Sequence, residues 1–284
     1  LGRFGQGEDR VRIRAYQRAV TNFGMSFGIA LSGIGLAIDT RSAYVAMVLC
    51  NAVTFVAAAA FAMRLPSMPP LAPAEGQRRE PMTVVLRDRR YLLASLLNGL
   101  FAIHFIIQSV ALPLWIVYHT RAPRWWVSVL LIINTIMVIT LQVRTSRGSG
   151  DVARAARIFM RSGVMIAAAC LLYSLAAGVD PVVACVVLVL AIVAHTFGEL
   201  YSSGASWGIG YGMAREDLQG QYQGAFGLGW GISGIIGPSL VTATAISMGR
   251  VGWYILAGGF LIVGAAFTPV VASYQRVMSN KSRD

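Results

Sequence analysis

Residues 181–203 read PVVACVVLVLAIVAHTFGELYSS. Twenty-three residues carry a single acid, Glu199, and nearly all the rest are apolar. A helix rises about 1.5 Å per residue and the hydrocarbon core of a bilayer is about 30 Å thick, so about 20 such residues span it. Backbone groups in lipid must be satisfied within the segment, which makes such a run a helix. Seven further runs of this kind lie around it, at about 19–38, 43–63, 92–117, 125–143, 162–178, 221–246 and 251–272. The sequence therefore predicts an all-α membrane protein with eight transmembrane helices.

Composition agrees. The chain is 56% hydrophobic and 13% charged, with mean hydropathy +0.63, whereas a soluble domain carries about 25% charged residues. The net charge of +12 raises nucleic acid as a partner, but the placement of the charge excludes it. With the N-terminus inside, 20 of the 24 Lys and Arg residues fall on the inner side, and only Arg41, Arg121, Arg124 and Arg250 on the outer. The positive-inside rule then puts both termini in the cytosol, and the expected location is the plasma membrane. Cys50, Cys170 and Cys185 lie within apolar runs and read as packing residues. No cleavable signal peptide, metal motif, cofactor motif or nucleotide-binding loop is read, so an ATP-driven pump is excluded. His104, His119 and His195 fall on separate segments without catalytic spacing, which argues against a membrane enzyme.

The outer loops, 39–42, 118–124, 179–180 and 247–250, are short, so successive helices are antiparallel neighbours. The inner segment 64–91 differs: it holds Pro66, Pro69, Pro70, Pro73 and Pro81 and six arginines, the composition of a cytosolic linker. This divides the chain into 1–63, the last two helices of an N-terminal bundle, the linker 64–91, and 92–284, a six-helix C-terminal bundle with a cytosolic tail. An internal repeat crosses the linker. Tyr16-Gln17-Arg18-Ala19 precedes one Gly-rich span and Tyr222-Gln223-Gly224-Ala225 precedes another, 206 residues on. Spans one and two thus pair with seven and eight, and three to six lack partners. Parallel repeats are a transporter design. The polar, basic first 18 residues resemble a loop between spans, and the expectation is that about 115 residues carrying four further spans precede Leu1.

Within those repeats Gly24 and Gly28 are four apart, as are Gly227 and Gly231, with Gly234, Gly237 and Pro238 following. Small residues at this spacing let helix backbones approach, and Pro238 kinks or ends regular pairing. They serve either static packing or a sliding, gating contact between bundles.

Two stretches resemble the major facilitator superfamily. Arg14-Ala15-Tyr16, Asn22 to Gly28 and Gly33-Ile34-Gly35 resemble the entry and Gly-rich motif of its fifth helix, with Ile29 and Ala30 where drug antiporters carry a proline and paired glycines. Thr196 to Leu200, Ala214 to Gly224 and Gly237-Pro238 resemble the tenth helix, the following loop and the eleventh helix of the drug-efflux-like branch, with Gln219 and Gln221 where arginine is common. The resemblance implies helices five to twelve of a twelve-helix transporter, truncated but of two-bundle architecture. It also implies that the third and sixth spans, as family helices seven and ten, line the central cavity.

Glu199 is the only acid deep in a span. A charge at bilayer depth is costly and turns to the bundle interior or a watery cavity. His195, Glu199, Ser202 and Ser206 share one helical face, and His104 and Gln108 form a similar pair on the third span. Removed from water, carboxylate and imidazolium both lose their preference for charge. Glu199, with His195 or His104, is thus a candidate proton or cation site. The alternative is a structural Glu199 near the cytosolic mouth, bonded to helix ends or loop arginines, and a satisfied interior His104. Asn134, Asn51 and Thr54 read as interhelical hydrogen-bond partners. Trp115, Trp125, Trp126 and Trp253 read as interface anchors rather than an aromatic cage, and His119 as a solvated loop residue. The functional expectation is a secondary transporter of a small solute, by proton-coupled efflux of a drug-like compound or metabolite. Proton-coupled uptake, or an inactive transporter fragment, is the alternative. The expected partners are the solute, protons and the lipid bilayer.

Overall fold

A computed structural model describes residues 8–38, 40–64 and 83–281, with side chains except at 29, 30, 32–37 and 281. Residues 65–82 of the linker, with all five of its prolines, lie outside the described residues. The described ones are helical: α1 Glu8–Ile38, α2 Arg41–Met63, α3 Arg89–Ile106, α4 Leu112–His119, α5 Trp126–Thr145, α6 Val152–Leu175, α7 Pro181–Gly212, α8 Gln219–Val241 and α9 Arg250–Lys281. The only strand-like pairing among them is one bridge, Thr120 to Ala177. Seven helices are long and apolar enough to cross a membrane, and α1 is not counted with them. From Glu8 onward the basic N-terminal segment is helix, not a loop; it adds turns to the start of the run at 19–38.

The chain divides into two compact units, Val20–Glu80 and the remainder. In the first, the distal part of α1 and α2 leave a cavity of about 620 Å³ beside Gly24, Gly28, Cys50 and Asn51. α2 buries none of its residues and is capped by Thr40, whose hydroxyl accepts from Ala43 N at 3.2 Å. Cys50 is exposed rather than packed. Thr54 donates to Asn51 O of its own helix at 2.7 Å, not across an interface; a lone hydroxyl in a span satisfies itself one turn back.

In the second unit α6 packs on α7 and α9, α3 on α8 and α9, and α5 on α7. Lipid tails are as apolar as leucine, so close backbone approach does the work that water exclusion does elsewhere. At the α3–α8 crossing a Cβ on Gly99 would lie 2.5 Å from Gly229 O, and one on Gly229 2.5 Å from Ser95 O. Gly163 and Gly264 play the same part between α6 and α9. The glycines singled out by spacing behave differently. A Cβ at Gly24, Gly28, Gly227, Gly231 or Gly234 meets nothing within 4 Å, so the expected close approach is not made there among the described residues; Gly237 alone is crowded, by Ile106. α8 continues through Pro238 to Val241.

Two π segments interrupt the long rods, Ile107–Ala111 between α3 and α4 and Thr242–Ser247 after α8, and they touch each other. Each adds a residue and turns the following face by about 100°. Trp115 and Trp253 are consequently core residues, 1% and 0% exposed, rather than interface anchors. Trp115 Nε1 donates to Tyr173 O at 2.8 Å, and Trp253 packs on both rings. Trp125 is exposed, while Trp126 is half-buried and donates to Cys185 O. His119 is no loop residue; it ends α4, half-buried and stacked on Trp115 at 4.3 Å. At the other end the bundle starts before residue 92: Val85 is buried and Asp88 Oδ1 caps α3 through Tyr91 N at 3.1 Å.

Candidate transport site

α7 organises the site. Pro181 opens it and Asp180 caps it, accepting from Val182 N at 2.9 Å. Its later turns carry Gly198, Ser202, Ser203, Gly204, Ala205 and Gly208, all buried. Gly204 and Gly208 let the α5–α6 turn settle against the helix at Ser146 and Ser149. With α7 so enclosed, Glu199 is 4% exposed and its carboxylate requires partners.

It has two. Asn134 Nδ2, from α5, donates to Glu199 Oε2 at 2.8 Å and to Thr196 Oγ1 at 3.0 Å. The Arg18 guanidinium, from α1, makes a salt bridge to Glu199 Oε1 and donates to Ser203 Oγ. That guanidinium also lies over the Phe105 ring, 5.3 Å from its centre. One turn earlier Arg14 Nε donates to Tyr211 Oη at 2.8 Å. The first turns of α1 are thus fastened along α7 by two arginines. Glu8, at the start of α1, accepts from Gly148 N at 2.6 Å and Gly150 N at 2.9 Å in the α5–α6 turn.

One turn before Glu199, His195 meets His104 of α3, Nε2 to Nδ1 at 3.4 Å, and Tyr173 of α6, whose hydroxyl is 3.5 Å from Nδ1. All three are enclosed, at most 1% exposed. A neutral imidazole carries one N–H and one acceptor nitrogen, so each of these contacts has room for one hydrogen-bonding proton. Beside His104 is a void of about 10 Å³ lined by Asn98, Phe105, Ser202, Ser206 and Trp230. That is room for about one water. Asn98 Nδ2 is buried there without a hydrogen-bond partner among the described residues.

The structure therefore brings together His195, Glu199, Ser202, His104 and Asn98. Gln108 stands apart: it lies in the π segment, where i, i+4 spacing no longer means one face, and it does not line the void. Sequence reasoning missed Arg18, which counts as a topology charge by position, and Tyr173, which carries no polar signal within its apolar run. Asn134 was legible as an interhelical donor but not as a ligand of Glu199.

The family model described as Major Facilitator Superfamily matches residues 3–238. The chain belongs to the Major Facilitator Superfamily. No curated protein gives a significant match. Membership makes this multi-pass integral membrane protein a secondary transporter of small solutes rather than an enzyme.

Proposed function

We propose that this superfamily member exchanges a drug-like compound or metabolite outward for inward protons across the plasma membrane, with Glu199 as the proton site. The observation that carries this is the enclosure of Glu199 between one cation, Arg18, and one neutral donor, Asn134. Protonation of the carboxyl removes the charge that holds Arg18, which then loosens the first turns of α1 from α7. The groups facing Glu199 are Arg18 and Asn134, with the His195–His104–Tyr173 string a turn away as the store or route for the proton. The void by Asn98, Ser202 and Ser206 is the closed remnant of the solute path. Both termini of the chain face the cytosol, in accord with the arginine distribution.

The helices correspond to five to twelve of the twelve-helix superfamily fold, a reading supported by the 206-residue repeat and the linker composition. The exposed glycine faces at Gly24 and Gly28 and at Gly227, Gly231 and Gly234 then serve as gating contacts with the preceding helices. Four further spans encoded in frame ahead of Leu1 are the expected result of reading the upstream DNA, and a start codon at that point would refute this. Proton-coupled uptake uses the same groups with the solute direction reversed, and a chain without partner helices would be inactive.

The test is Glu199→Gln in proteoliposomes, with solute flux followed under imposed pH gradients. Flux independent of the gradient is expected, with solute exchange retained. A gradient dependence equal to that of the unsubstituted protein would remove Glu199 from proton coupling.

A further inference from the structure

α5 and α6 follow one another and both pack on α7, but they make little direct contact. The gap between them is a groove of about 390 Å³. α7 supplies its floor with Phe197 and Tyr201, α5 adds Leu141, and Arg144, Arg147 and Arg161 surround it. None of the three guanidinium groups makes a hydrogen bond or ion pair with another described residue. The nearby acids are engaged elsewhere. Glu8 is held by Gly148 N and Gly150 N, and Asp151 caps α6 through Arg154 N at 2.7 Å.

Arginines that served only to set topology could stand anywhere on the inner rim. Here three converge on one apolar groove, and none is paired with an acid among the described residues. Basic pockets between helices at a membrane surface take anionic headgroups, and an apolar floor takes the chain attached to them. We propose that this groove binds one anionic phospholipid, its phosphate held by Arg144, Arg147 and Arg161 and an acyl chain laid on Leu141, Phe197 and Tyr201. Proton coupling and solute direction do not enter, so the failure of either leaves this site untouched.

The experiment is native mass spectrometry of the full chain released from mixed phosphatidylglycerol and phosphatidylcholine nanodiscs. The unsubstituted protein is expected to retain one phosphatidylglycerol with about tenfold preference or more. Each arginine near the surface contributes about fivefold to such binding, so Arg144→Gln, Arg147→Gln and Arg161→Gln together abolish the preference. A control with Arg87, Arg157 and Arg276 changed to Gln removes the same charge and should retain the lipid. Equal loss in the control would overturn the site in favour of general attraction. Displacement of the lipid by millimolar inorganic phosphate would overturn it in favour of a soluble anion. Should the triple variant fail to fold, Arg161→Gln alone is expected to lower retention about fivefold, and unchanged retention there would also overturn the proposal.

Discussion

Alanine at position 99 tests whether α3 and α8 meet backbone to backbone. A Cβ on Gly99 would lie 2.5 Å from Gly229 O, 2.7 Å from its carbonyl carbon and 2.8 Å from its Cα. Non-bonded carbon contacts settle at about 3.5–4.0 Å, so the helices would have to part by about 1 Å. All three obstructing atoms are backbone, and no side chain can turn away to make room. Overpacking of this kind costs about 1–3 kcal/mol. Gly231 is the matched control: it lies on the same α8, and a Cβ there meets nothing within 4 Å. Replacing glycine by alanine in a helix gains about 1 kcal/mol at either position, so that gain cancels in the comparison. Gly99→Ala should therefore be less stable than Gly231→Ala by about 1–3 kcal/mol. For a chain of this size that is a gap of about 2–5 °C in thermal midpoint, readable from tryptophan fluorescence in detergent. Equal midpoints, or a higher one for Gly99→Ala, would refute the close crossing.

Arg18→Gln and Glu199→Gln should each destabilise the protein by up to about 3–5 kcal/mol, less whatever Arg18 recovers through its remaining exposure, while the double variant recovers much of the loss; strictly additive thermal midpoints would show that the pair is not coupled. Glu8→Gln should loosen the α5–α6 turn, because a neutral amide oxygen accepts more weakly than a carboxylate from Gly148 N and Gly150 N. Faster tryptic cleavage after Arg147 is the expected readout. Asn98→Ala removes a buried amide that has no partner among the described residues and should leave the thermal midpoint unchanged or raise it, while slowing solute transport. Transport at the original rate would detach the void from the solute path.

The helices were legible because their signal is local. About 20 apolar residues leave the backbone no other solution in lipid. The same local logic misplaced Trp115, Trp253 and Gln108. Assigning faces along a span assumes one unbroken helical period, and the π segment at Ile107–Ala111 changes that period within α3–α4. Nothing in Ile107-Gln108-Ser109-Val110-Ala111 announces it, since the bulge is stabilised by the packing of this segment on the second π segment and on α8. Of the glycines singled out by spacing, only Gly237 meets a neighbour among the described residues. Spacing shows which residues could admit a neighbour, but Gly99, a single glycine without a repeat, is the one that α8 meets.

Glu199 shows how far such reasoning reaches. An acid inside an apolar run must have a partner, because an isolated charge there costs several kcal/mol. That much follows from the sequence, which offers His195, one turn away on the same helix, or a loop arginine it cannot name. Yet neutral imidazole offers the carboxylate no countercharge, and His195 spends its two nitrogens on His104 and Tyr173. The cation comes from 181 residues away, from an arginine just ahead of the first apolar run. Counting arginines by side treats them as interchangeable, which is correct for orientation and blind to pairing. Arg18 stands deeper than the other arginines of its segment: the helix that carries it runs from Glu8, so the residue arrives nearly three turns along a rod rather than on a solvated loop. A basic residue one helical turn or less ahead of an apolar run, in a chain with a solitary buried acid, is therefore the first place to look for that acid's partner.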